Sequence, residues 1–106
     1  MDVITVGTVL GGLFQYEQSN KGVTRFYFDH DELKYEDGSD VESDAVALYI
    51  LSVGEASKIA RTLQPGDMVK MIGRPFHAPY NVWEGKKTYL VQAFEANKIV
   101  RCRKDD

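Results

Sequence analysis

Cysteine, histidine and proline are scarce in this 106-residue chain, at one, two and three residues. The lone Cys102 excludes an internal disulfide, and His30 and His77 stand far apart with no cysteines at ligand spacing, so no metal site is expected. No apolar run approaches the roughly 18 residues that cross a bilayer, and no charged leader precedes an apolar segment, so no membrane association is expected. A phosphate-cradling glycine loop is missing, and so is any Ser-His-Asp or Cys-His set, which leaves no catalytic residue to nominate and no cofactor to expect. A soluble, cytoplasmic, non-enzymatic protein is the expectation these absences support.

Present instead are 43% hydrophobic residues, 11% aromatics and nine glycines, enough for one small domain over residues 1–106 with its own core. The formal net charge is -3, but half of the 16 acids fall in the segment 29–44, offset only by Lys34. The other 90 residues hold 12 Lys or Arg against 8 acids, a local balance of +4 that suits a polyanion better than the total does. The acidic segment shows neither period and contains Asp37-Gly38-Ser39, so it is expected to be an exposed, mobile connection, placed away from a ligand or competing with it. It lacks the spacing of a calcium-binding loop.

Residues 3–10 alternate as a strand, with Ile4, Val6 and Leu10 on one side and Val3, Thr5 and Val9 on the other. Gly11-Gly12 permits a bend, and a polar loop holding Tyr16 runs to Lys21-Gly22. In Val23-Thr24-Arg25-Phe26-Tyr27-Phe28, inward Phe26 and Phe28 send Arg25 and Tyr27 outward. Residues 45–51 are apolar on both faces, the pattern of a strand covered on two sides. Ala56, Ile59, Ala60 and Leu63 recur at helical spacing and make one apolar stripe on a short helix, which Pro65-Gly66 ends. A fourth strand runs from Met68 to about Arg74, a turn closes at Glu84-Gly85-Lys86-Lys87, a fifth covers 88–94, and Ile99-Val100 could add a short edge strand.

Between the fourth and fifth strands the chain places Phe76, His77, Tyr80 and Trp83 on a long hairpin together with Lys70, Arg74, Lys86 and Lys87. A hairpin tip has little interior to fill, so rings there point to an external partner, and unpaired bases stacking on them while the cations follow phosphates is one such use. Packing of the rings on one another or on a second copy is the alternative. Arg25 with Tyr27 suits a base and a phosphate, or a subunit interface. Tyr16 either contacts a ligand from the first loop or caps the barrel, and Tyr49 and Tyr89 are divided between ligand, interface and core. Lys21 joins the candidate cations.

Three strands, a helix and two more strands is the order of the five-stranded Greek-key OB-fold barrel, with the short helix between strands three and four. Over nearly its whole length the chain also resembles the bacterial-type single-stranded DNA-binding protein family. The likeness is carried by Val3-Ile4-Thr5-Val6-Gly7, by Tyr16, by Asn20-Lys21-Gly22 with the strand to Phe28, and by Gly66-Asp67-Met68-Val69, Gly73-Arg74, Tyr80, Gly85 and Tyr89 in family order. The resemblance implies sequence-independent single-stranded DNA binding in replication, recombination or repair by a homodimer or homotetramer, with Tyr80 at a base-stacking position. Two departures stand out. The third strand offers mainly Ala45, Ala47 and Tyr49 where the family brings aromatic or basic residues, and a short extension over 101–106 replaces the family's tail with its acidic, phenylalanine-terminated tip, so recruitment of replication proteins through that tip is expected to be lost. Tail-less primosomal replication proteins and phage or plasmid members share this outline. The competing expectation is an OB-fold protein-interaction or assembly module with weak or no nucleic-acid binding.

Overall fold

The structure is a computed structural model that describes residues 1–11, 17–18, 22–75 and 80–102. Among them the elements run β1 (Val3–Val9), β2 (Glu17–Gln18), β3 (Val23–Tyr35), β4 (Ala47–Val53), α1 (Gly54–Ala60), β5 (Met68–Pro75), β6 (Tyr80–Glu84) and β7 (Lys87–Arg101). β1 pairs with both β3 and β5, β5 with β7, β7 with β4, and β4 with β3, which closes a ring of five strands. The β4–β7 pairing is parallel and the others around the ring are antiparallel. With α1 between the third and fourth barrel strands, β4 and β5, this is the OB-fold expected from the order of elements.

Two-residue alternation places the core. Val3, Thr5 and Val9 on β1, Phe26 and Phe28 on β3, Leu48 and Ile50 on β4, Val69 and Met71 on β5, and Phe94, Ala96 and Ile99 on β7 are all buried. Each fully covered Phe, Leu or Ile adds about 1.5–3 kcal/mol relative to exposure. Ala56, Ala60 and Leu63 bring the helix and the turn after it onto this core. Buried Thr24 meets Ser57 through their hydroxyl oxygens at 2.8 Å, and the Ser52 hydroxyl donates to the Thr24 carbonyl at 2.8 Å, so the polar groups beneath the helix are satisfied.

Two irregularities shape the barrel. The β1–β3 register slips between Val6 and Gly7, leaving Asp31 as the extra residue, and the β5–β7 register slips between Ile72 and Gly73, leaving Asn97 as the extra one. At each slip a glycine lies against the partner backbone: a Cβ on Gly7 would overlap the carbonyl oxygen of Asp29, and one on Gly73 that of Glu95. Bulges paired with close backbone approach let a short sheet curve tightly enough to close.

Four expectations are corrected. The acidic segment 29–44 is not one irregular connection, because β3 continues to Tyr35 in register with β1. Leu33, Tyr35 and Val41 pack on the core, and the acids occupy exposed positions around them. Beyond the strand, the Asp37 carboxylate accepts the Ser39 amide at 2.9 Å, and the backbones of Lys34 and Asp40 pair in an isolated antiparallel β-bridge, so the chain turns back along β3. Ile99-Val100 is no separate edge strand but the far end of β7, paired with Met71 and Lys70. The outgoing arm of the hairpin is two strands, β5 and β6, laid end to end against the single long β7. Ile59 leaves the buried stripe at 39% exposure, since the seven-residue helix turns only its small residues, Ala56, Ser57 and Ala60, inward.

Candidate nucleic-acid interface

The outer surface of β3, β4, β7, β5 and β6 can be read row by row from the strand registers. Arg25 on β3 faces Leu51 on β4, Leu51 faces Glu95 on β7, and Glu95 faces Arg74 on β5. One step along, Tyr27 faces Tyr49 and Tyr49 faces Ala93. In the next row Ala47 faces Val91 and Val91 faces Tyr80 on β6. These positions share the face opposite to inward Phe26, Phe28, Ile50 and Phe94. Rows of one face lie about 7 Å apart, so the three tyrosines gather within reach of one another beside a row that carries an arginine at each end.

The ring geometry bears this out. Tyr27 and Tyr49 lie with centroids 4.9 Å apart and planes tilted by 53°. The Tyr80 phenol is pushed up to about 12, first by burial and then by the phenols of Tyr27 and Tyr49, which places its oxygen within their field. Tyr80 nevertheless keeps 37% of its surface open, and Arg25, Tyr27 and Tyr49 are all half-buried. The result is an open aromatic floor flanked by guanidinium groups, on which flat, electron-rich or uncharged rings can lie.

Beyond this floor β6 and the start of β7 extend as a two-stranded ribbon in which, among the described strands, β6 pairs only with β7. Val82 and Tyr89, facing each other, continue the tyrosine side, and Lys87 follows at the ribbon's end opposite Glu84. Lys86 sits in the two-residue turn beside Gly85, whose φ of 60° suits that tight reversal. Trp83 is 69% exposed but faces Thr88 on the other side of the ribbon, an odd number of residues from Tyr80.

The structure therefore joins Arg25, Tyr27, Arg74 and Tyr80 on one surface, with Lys86 and Lys87 along the same ribbon, while Trp83 lies on the ribbon's reverse. Lys70 is apart, between Val6 and Val100, about 13 Å along β5 from Arg74. Tyr16, Lys21 and Phe76 lie outside the described residues. Sequence reasoning leaves Tyr49 divided between ligand, interface and core: its outward parity is legible, but its place opposite Tyr27 depends on a pairing that no local pattern states. Among the described residues no cluster of His, Cys, Asp and Glu could hold a metal ion.

No protein-family model matches the sequence, and no curated protein matches it. In a comparison of solved structures, the chain is similar to a small single-stranded DNA-binding protein from Streptomyces coelicolor. That likeness covers 100% of this chain and 97% of the other, with a TM-score of 0.60 and 14% identity. At that identity the shared property is the fold.

Proposed function

We propose that this chain binds single-stranded DNA on the outer face of β3, β4 and β7, with Tyr27, Tyr49 and Tyr80 stacking on bases and Arg25, Arg74, Lys86 and Lys87 meeting phosphates. The observation that carries the reading is the gathering of three tyrosines from three strands on the outside of a closed barrel, beside a row with an arginine at each end. Each base-aromatic stack is worth about 1–3 kcal/mol, and every base offers a π-face, so such a floor accepts many sequences. The work it suits is replication, recombination or repair, where strands are separated, and it would be done by a homodimer or homotetramer. Ile4 and Ile72, cross-strand neighbours on the outside of β1 and β5, are the apolar surface a second copy would cover. Tyr16, Lys21 and Phe76 keep their candidacy on sequence grounds, and Trp83 joins where the strand rounds the ribbon tip.

The test is fluorescence anisotropy with a labelled mixed-sequence oligonucleotide of about 35 residues, longer than the roughly 4–16 nucleotides one OB-fold covers. The expected result is binding that weakens steeply with salt and is largely lost in the double variant Tyr27→Ala, Tyr49→Ala. No binding at low salt, or a double variant that binds like the parent, sinks the proposal. The rival reading, a protein-docking barrel, gains from the exposed reverse-face Trp83, and would be chosen by a captured protein partner together with no retention on single-stranded DNA.

A further inference from the structure

We infer that Glu95 is a specificity-determining residue of this face, favouring bases that carry an exocyclic amino group, cytosine above thymine. The inference rests on the single-stranded DNA-binding reading above and deepens it. Phe94 and Ala96 on either side point inward and are fully buried, which turns the Glu95 side chain out onto the binding face. There it stands between Leu51 and Arg74, one row from Tyr49 and Ala93. The bulge beside it fixes that position, because Gly73 brings β5 against the backbone of Glu95 itself. Among the described residues its carboxylate enters no ion pair.

An ionised carboxylate only accepts hydrogen bonds. A base lying on Tyr49 would bring its unpaired edge toward the neighbouring row, where Glu95 waits. Cytosine presents its N4 amino group there and can donate, whereas thymine presents O4, a second acceptor, and is repelled. The two pyrimidines have rings of similar size, so stacking alone separates them little and the carboxylate decides. Arg74, directly opposite, keeps the site's local charge near balance while remaining available to a phosphate.

The decisive measurement compares affinity for oligodeoxycytidine and oligodeoxythymidine of equal length at one salt concentration. The parent protein is expected to hold the cytidine strand about five- to tenfold more tightly, the lower part of what a specific base contact gives, since this face is open to water. In Glu95→Gln the ratio is expected to fall to near one, because an amide both accepts from cytosine N4 and donates to thymine O4. Asp29→Asn, two residues past Tyr27 on β3 and on the edge of the same face, serves as the charge control. It should strengthen both complexes alike and leave the ratio intact. Equal affinities in the parent, a ratio that survives Glu95→Gln, or a ratio abolished equally by Asp29→Asn overturns the inference while leaving single-stranded DNA binding in place. A parent protein that binds neither homopolymer nor the mixed sequence removes the broader reading, and this one with it.

Discussion

At Gly73 and Gly7 the backbones of two strands come so close that any side chain must displace one of them. Neither glycine has a positive φ, so the requirement is space and not conformation. Gly73→Ala and Gly7→Ala are each expected to lower folding stability by about 1–3 kcal/mol or more, the cost of overpacking against an unyielding backbone, measured as a shift in urea midpoint. Tyr80 gives a pH signature. Its phenol titrates near 12 in the folded chain, against about 10 when unfolded, because burial beside Tyr27 and Tyr49 disfavours the phenolate. The folded state thus keeps a proton that the unfolded state loses, so stability is intact below pH 10 and falls as pH rises from 10 to 12. Phenolate absorbance should show a late-titrating component that shrinks in Tyr80→Phe.

The elements show what the sequence could and could not disclose. The strand over 23–28, the helix after Gly54 and the turn at Gly85 were legible because each has a strong local signal: alternation, helical spacing, or a glycine that must reverse. The second half of β3 was not, since Asp29, Asp31 and Glu32 before Leu33 read as loop until β1 supplies a partner. In the ribbon, Tyr80 and Trp83 are both aromatic and close in sequence, yet two-residue alternation puts them on opposite faces. This separation is measurable. Tyr49→Ala is expected to weaken oligonucleotide binding by about 1–3 kcal/mol, and Trp83→Ala by less, with anisotropy titrations of the two variants as the check.

For the molecule as a whole, net charge misleads and placement decides. Half the acids lie in the segment 29–44, most of it paired with β1 or turned back along β3, whereas Arg25 and Arg74 border the tyrosines. Each phosphate contact adds about 0.7 to the slope of log affinity against log salt for single strands. Lys86→Ala and Lys87→Ala are each expected to reduce that slope by about this amount, and Lys70→Ala to leave it unchanged, as read from titrations at several salt concentrations. Among the described strands β7 is the one that pairs with β4, β5 and β6 together, and it follows all of them in sequence. During synthesis the edges of β4 and β5 that β7 covers therefore stay open, exposed to mispairing, until residues 87–101 emerge and the ring can shut.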